Sequence, residues 1–283
     1  MIGGSFALAA RRAGIVDRIT GWDSRQVLDE ACARGIIDGE EDSFETGEGC
    51  PADLIYLAAP VGGIMNLIRT RGGSFKSGAI VTDAGSTKRE ICRIARKTIP
   101  NGVGFVGGHP MAGSHNAGLQ HANADLFRNA PYAVIVDEAK TANDSVPVVE
   151  DVIRKIGARP VRVTAQEHDR AVARVSHVPQ LIATALACVT TVGVNESGVR
   201  LSGAGFSEMV RLAASRWSVW EDICRTNSDE IALALDELIG ELEATRSSIG
   251  SGGFDTLRVS FEEANAFVRR LGSRASFDGS LSD

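Results

Sequence analysis

The chain has 283 residues, enough for two domains with a core each. Its formal net charge of −6 argues against a nucleic-acid partner. Five scattered cysteines (Cys32, Cys50, Cys92, Cys188, Cys224) form no C-x-x-C pair, which points to reduced thiols in a cytoplasmic protein rather than a disulfide framework.

In chain order, Met1-Ile2-Gly3-Gly4-Ser5 runs into a helix-like segment, Phe6 to Ala13, closed by Gly14. Arg18-Ile19-Thr20-Gly21-Trp22-Asp23 then reads as a short strand ending in an acid, with Asp23 placed 20 residues after Gly3. This is the pattern of the back half of a dinucleotide-binding βαβ unit, in which the helix N-terminus faces a pyrophosphate and the acid faces a ribose. Ile2, Gly3, Gly4 and Asp23 are therefore candidate cofactor residues. A carboxylate at position 23 accepts bonds from ribose hydroxyls and repels a 2′-phosphate, which favours NAD over NADP; Arg25 leaves some tolerance for NADP. The first strand and first two glycines of G-x-G-x-x-G are missing. The sequence thus predicts that Met1 is an internal methionine preceded by roughly ten residues of strand and Gly-x-Gly, since the first strand of a doubly wound sheet is central.

No basic leader precedes the apolar run 6–10 and Arg11-Arg12 cuts it short, which argues against a signal peptide. The longest apolar stretch, 178–194, is interrupted by Pro179, Gln180 and threonines and reads as a buried helix rather than a membrane span. Strand-like runs at 53–59, 79–83, 102–106, 132–136 and 159–163 are apolar on both faces and separated by helix-length segments, predicting a mostly parallel sheet covered on both sides. Beyond Val163 the pattern is helical, at 169–192, 206–226, 230–245 and 256–271. Asn227 with Glu230 resembles a capping box, and 247–253 reads as a flexible joint. The predicted architecture is a Rossmann-type α/β domain over residues 1–163, doubly wound with its first strand missing, followed by an all-helical domain over residues 164–283.

Chemistry concentrates where strands end. In Gly107-Gly108-His109-Pro110-Met111-Ala112-Gly113-Ser114, a histidine sits between glycines and a proline after a strand. It titrates near neutrality, which suits a base that takes a hydroxyl proton while hydride leaves. The plainer reading is a structural loop histidine. His109, His115 and His121 recur every six residues, which suits no helix face and no metal site.

With these residues the sequence resembles the prephenate/arogenate dehydrogenase family of tyrosine biosynthesis. The resemblance rests on G-H-P-M-x-G at 108–113, on D-x-x-S-x-K at Asp83 to Lys88, and on S-H-x-P at Ser176 to Pro179. It also includes Gly205-Phe206-Ser207-Glu208-Met209-Val210-Arg211 followed by Trp220-Glu221-Asp222-Ile223. The motifs occur in family order and span nearly the whole chain. The resemblance implies hydride transfer from a cyclohexadienol to NAD(P)+ with loss of the ring carboxylate as CO2. By resemblance His109 polarises the substrate hydroxyl, Ser86 orients it or the nicotinamide, and Ala59 and Pro60 complete the cofactor contacts. Arg211 is the implied carboxylate clamp; spacing alone would give it a surface ion pair with Glu208. Trp220 is expected near the site or, equally, in core packing with Trp217.

Three departures stand out. His115 occupies a position where the family often has an acid; Gln180 replaces a second histidine of S-H-x-P-H near the substrate side chain; and Glu208 replaces an aspartate. Gln180 leaves prephenate against arogenate open. His168 matches a family position that could assist substrate binding or start a helix, His177 is expected to be buried and satisfied, and His121 solvated. The resemblance further implies a homodimer through the helical domain, a small-molecule substrate, and neither membrane nor nucleic-acid partners. The competing reading is a non-catalytic remnant that still dimerises.

Overall fold

The computed structural model describes residues 1–43, 49–112, 118–136 and 145–279. Helix α1 (Ile2–Arg12) ends at Gly14, whose left-handed φ of +64° lets the Ile15 N–H donate back to the Ala10 carbonyl at 3.3 Å. Strand β1 (Thr20–Gly21) is only two residues long and pairs in parallel with β2 (Gly39–Glu40), with α2 (Arg25–Ala33) as the crossover. Asp23 therefore lies in the β1–α2 loop and not in the strand.

Strands β3 (Leu54–Leu57), β4 (Ile80–Asp83) and β5 (Gly104–Val106) form a second, parallel ladder. Helices α3 (Val61–Arg71) and α4 (Arg89–Thr98) are its crossovers. A third ladder places β7 (Pro131–Ile135) between β6 (Gly108–Pro110), which is antiparallel to it, and β8 (Arg159–Val163), which is parallel. Helix α5 (Ser145–Lys155) connects β7 to β8. The predicted strands are all present: β1, β3, β4 and β5 are shorter than expected, β7 is shifted by one residue, and β8 keeps its predicted bounds. The surprise is β6: it begins after a one-residue gap from β5 and pairs antiparallel with β7, so His109 sits in a strand opposite Ala133 rather than in a loop.

Apolar side chains cover both faces of these ladders. Ile55, Leu57 and Val81 pack with Ile64, Ile68, Ile91 and Ile94 of α3 and α4 on one side. Phe6, Ala9 and Ala10 of α1 pack with Val106, Tyr132, Val134 and α5 on the other. Phe6 lies flat on Tyr56, with ring centroids 3.8 Å apart, and so seats α1 against β3.

After β8 the chain is helical: α6 (Ala165–Val172), a π turn (Ala173–His177), α7 (Val178–Gly193), α8 (Glu196–Val199), α9 (Ala204–Val210), a 3₁₀ turn (Arg211–Ala214) and α10 (Trp217–Thr226). The expected single helices 169–192 and 206–226 are thus each interrupted. Contacts group Met1–Ile231 into one compact unit and Ala232–Asp283 into another, the division falling inside α11 (Ser228–Ser251). The second unit holds the rest of α11 and α12 (Phe254–Gly279), separated by Gly252 at φ +74°. The predicted joint at 247–253 contracts to that glycine and its neighbour, because i→i+4 bonding continues to Ser251.

Two further expectations are corrected. The Asn227–Glu230 capping box does not form. The Asn227 amide instead donates to the Asp169 carbonyl at 2.8 Å, and Glu230 accepts from Gln166 at 2.7 Å. The box that does form is Thr164–Glu167 at the start of α6, with reciprocal bonds of 3.1 and 2.9 Å. Nor is α7 a buried helix: only Val178, Gln180 and Ala183 are buried, while Val189 and Val192 are 71% and 91% exposed. Among the described residues, none covers Val189 or Val192. By length and composition alone, Ala165–Gly193 could also cross a membrane.

Candidate active site

Cofactor candidates gather where the parallel strands end. A Cβ on Gly3 would stand 3.2 Å from that of Ala58, just past β3, and one on Gly4 would stand 2.6 Å from Leu119 and 3.0 Å from Ala122. Glycine at position 3 lets the first turn of α1 approach the strand end, and glycine at position 4 lets it approach the turn at Leu119 to Ala122. That turn carries no acidic side chain, so its N–H groups and dipole remain available to an anion. Ala59 and Pro60 lie exposed at the N-terminus of α3. Asp23 is exposed, and one carboxylate oxygen accepts from the Ser24 N–H at 2.7 Å, which leaves the other for a ribose diol. Arg25 pairs with Glu40 at 2.7 Å and with Asp29 at 3.1 Å. This cradle fits a dinucleotide.

His109 is held by its neighbour. The N–H of Gly108 donates to Asp83 Oδ1 at 3.1 Å, and the carbonyl of Gly108 accepts from Lys88 Nζ at 2.7 Å. Asp83 and Lys88 form a fully buried ion pair, and Asp83 Oδ2 also accepts from the Gly85 N–H at 2.8 Å. The turn between β4 and α4 thus clamps β6 through both backbone groups preceding the histidine. Ser86 lies half-buried in that turn, next to Thr87, whose hydroxyl meets that of Thr226 at 2.7 Å.

On its other side His109 meets the helical segment. His109 Nδ1 and His168 Nε2 are 2.9 Å apart, and His168 Nδ1 donates to Asp169 Oδ1 at 2.8 Å. Burial, with His168, Lys88 and His177 nearby, holds His109 well below the usual histidine pKa, so it is a neutral proton acceptor at pH 7. Burial pushes Asp169 upward, but bonds from His168 and from the Arg89 and Lys88 N–H groups prevail and keep it ionised. Arg89 ties the same region together, contacting Asp169 at 3.3 Å, Asn227 at 3.0 Å and Asp229 at 2.7 Å.

Asn227 continues inward to His177 Nδ1 at 3.3 Å, and His177 packs edge-on to Trp220 with centroids 5.9 Å apart. His177 is buried, and burial lowers its pKa to about 4. Trp220 therefore packs on a histidine. Trp217, its expected core partner, is 65% exposed.

Gln180 is buried, and both ends of its amide are engaged: Nε2 donates to the Leu212 carbonyl at 2.8 Å and Oε1 accepts from Ser215 at 3.1 Å. Leu212 lies within, and Ser215 just after, the 3₁₀ turn that begins with Arg211, which is exposed. Gln180 thus positions the Arg211 turn. His121 is exposed, and the departure at His115 lies outside the described residues.

A family model for the nucleotide-binding domain of prephenate dehydrogenase matches residues 6–162, and one for its dimerization domain matches residues 164–263. The chain belongs to the prephenate dehydrogenase family. It is 32% identical to a prephenate dehydrogenase of Bacillus subtilis, covering 94% of this chain and 72% of that one. It is 29% identical to a cyclohexadienyl dehydrogenase of Zymomonas mobilis, covering 92% and 90%. Among solved structures, prephenate dehydrogenase from A. aeolicus with hydroxyphenyl propionate and NAD+ superposes with a TM-score of 0.87 at 25% identity, covering 95% and 94% of the two chains.

Membership makes this chain an oxidoreductase with a nicotinamide-binding Rossmann domain and a helical dimerization domain. Residues that carry much of the site went unassigned from sequence. Asp83 and Lys88 were visible as the ends of D-x-x-S-x-K, but the motif does not show that they grip Gly108. Asp222, which accepts the Gly62 N–H at 2.8 Å and so caps α3 beside Pro60, lies 160 residues from its partner and left no local signal.

Proposed function

We propose that this family member oxidises prephenate to 4-hydroxyphenylpyruvate with NAD+ as hydride acceptor, releasing CO2. The observation that carries the reading is a neutral histidine, His109, clamped through Gly108 at the carboxyl end of β4. Bound nicotinamide would supply the hydride acceptor; Ile2, Gly3, Gly4, Asp23, Ala59, Pro60 and Ser86 would hold the dinucleotide. The protein's own task is then orientation and proton removal. His109 accepts the proton of the substrate 4-hydroxyl, Ser86 orients that hydroxyl, and Arg211 grips a carboxylate on a turn fixed by Gln180. General-base help of this kind contributes about 10²–10⁴-fold. Residues 1–163 serve as the cofactor half and 164–283 as the substrate and dimerisation half. We assign a cytoplasmic homodimer whose interface covers the exposed Val189 and Val192 of α7.

Arogenate is the second candidate substrate. The cyclohexadienyl dehydrogenase relative supports it, and Gln180, in place of a second histidine, already engages both ends of its amide on the Arg211 turn. The test is reduced-nicotinamide formation with prephenate and with arogenate, each with NAD+ and NADP+. NAD+ is expected to be preferred, and Asp23→Ser to narrow that preference by admitting a 2′-phosphate. Absence of turnover with either substrate would refute the reading and favour a non-catalytic dimer.

A further inference from the structure

The reading of His109 as the proton acceptor leaves a question of geometry: which ring nitrogen carries its proton. A histidine can accept from a substrate hydroxyl only through a nitrogen that bears a lone pair, and the two nitrogens are distinguished by what the other one touches. Here the partners form an ordered series. Asp169 is fully buried and its carboxylate accepts only. It receives the Lys88 N–H at 2.7 Å on Oδ1 and the Arg89 N–H at 3.0 Å on Oδ2. The nitrogen facing it, His168 Nδ1 at 2.8 Å, must therefore be the protonated one. Neutral His168 then has its lone pair on Nε2. That atom lies 2.9 Å from His109 Nδ1, which must in turn be the N–H of neutral His109. One acceptor-only group thereby fixes two tautomers in succession and leaves His109 Nε2 as the lone-pair nitrogen.

We propose that His168 and Asp169 are positioning residues that hold His109 in its Nδ1–H tautomer and spread the positive charge that arises when Nε2 takes the substrate proton. The proposal rests on the reading of His109 as the acceptor and names the device that makes it competent. His168 thereby has a function distinct from substrate contact. The step is balanced. The hydroxyl O–H bond breaks, a bond forms from that proton to His109 Nε2, and the two relay hydrogen bonds shorten around the imidazolium while their protons stay in place. Burial on both sides makes this arrangement valuable, because a carboxylate acts more strongly in a dry surround. Lys88 and His177 raise the cost of charge on His109, and Asp169, reached through His168, is the anion that offsets them.

The test uses three variants and two readouts. Asp169→Asn can turn its amide N–H₂ toward His168 by giving up the bond from the Lys88 N–H, which reverses the series and puts the proton of His109 on Nε2. A carboxylate lost from this role costs about 10⁴-fold in kcat where a histidine depends on it for its tautomer. We expect Asp169→Asn and His168→Leu to lower kcat by 10²–10⁴-fold with little change in KM. His168→Gln should recover part of the loss, because its carbonyl can accept from His109 Nδ1–H while its N–H₂ donates to Asp169. Independently, ¹⁵N spectra of histidine-labelled protein should show Nδ1–H for His109 and His168 in the parent chain and Nε2–H for His109 in Asp169→Asn. An Nε2–H signal for His109 in the parent chain, or unchanged kcat in His168→Leu, would overturn the proposal. His109→Gln separates the two claims: if that variant keeps full activity, the reading of His109 as acceptor fails whatever the tautomer spectra show.

Discussion

Replacing Lys88 with methionine removes the cation from the one fully buried ion pair among the described residues. The variant preserves chain length and apolar stem, so the loss is electrostatic. Two groups are orphaned: the Asp83 carboxylate, and the Gly108 carbonyl that accepted from Nζ at 2.7 Å. Removing one partner of a buried pair costs about 3–5 kcal/mol, because the remaining charge is desolvated and uncompensated. Asp83 keeps N–H donors from Gly85 and Gly108 at 2.8 and 3.1 Å, which places its share near the lower end, about 3 kcal/mol. The carbonyl adds about 1 kcal/mol. A total near 4 kcal/mol is a large part of the about 5–15 kcal/mol that holds a domain folded, and corresponds to a fall in Tm of about 8–16 °C for a unit of this size. Urea unfolding should show the loss as a lower midpoint at unchanged slope. Asp83→Asn added to Lys88→Met should restore about half of it, since the uncompensated charge is then gone while the amide oxygen still accepts one of the two N–H bonds. A single variant within about 1 kcal/mol of the parent, or a double variant that merely sums two losses, would refute the argument that the pair is held in place by mutual need.

Gly108→Ala should cost about 2–3 kcal/mol and lower kcat, because its Cβ would stand 2.6 Å from the Asp83 carbonyl and 3.0 Å from Thr82 and Tyr132, and backbone cannot yield cheaply; full activity would show β6 to be more pliable than this packing allows. Arg89 hydrogen bonds hold Asp229 near a pKa of about 2, so this carboxylate stabilises fully above its unfolded pKa of about 3.9 and loses the contribution as pH falls toward 2. The stability gap between the parent and Arg89→Ala, measured by urea unfolding at a series of pH values, should therefore shrink across that window. For His177 the folded pKa of about 4 lies below the unfolded value of about 6.5, so the unfolded chain binds the extra proton and stability declines as pH drops between the two. His177→Gln should flatten that decline, and parallel curves for the two proteins would count against burial as its cause.

Much of the fold was legible because its signals are local. Apolar runs such as 54–57 and 80–83 are strands since both faces are covered, and the glycines at 3 and 4 announce a close approach that the structure realises against Ala58 and Leu119. The misreadings share one cause. Asn227 and Glu230 have the residue types of a capping box, yet tertiary partners, Asp169 and Arg89 for one and Gln166 for the other, outcompete the local bonds. Composition also made α7 look like a core helix, although Val189 and Val192 on it stand exposed. Thr164-x-x-Glu167, the box that does form, was readable from sequence by the same rule. His109 stood out in the sequence as a candidate by its glycine and proline neighbours. Its environment was not legible, since Lys88 is 21 residues away, His168 is 59, and neither distance leaves a periodicity to read.

With His109 as the proton acceptor proposed above, a weak base gains from charged supports on two sides. A histidine that must be neutral at rest gains from low dielectric, but low dielectric makes the imidazolium formed during turnover expensive. Moving His109 into solvent would ease the second condition and lose the first. The structure meets both by division of labour. The Asp83–Lys88 pair fixes the backbone at Gly108 and places a cation near enough to disfavour resting charge on His109. Asp169 lies one imidazole farther away, where its field is weaker at rest but is conveyed by aligned N–H dipoles once Nε2 is protonated. Exchanging the two supports would hold His109 protonated, and a direct carboxylate contact would anchor it as a permanent ion pair. Interposing His168 is what lets one carboxylate orient the base without charging it.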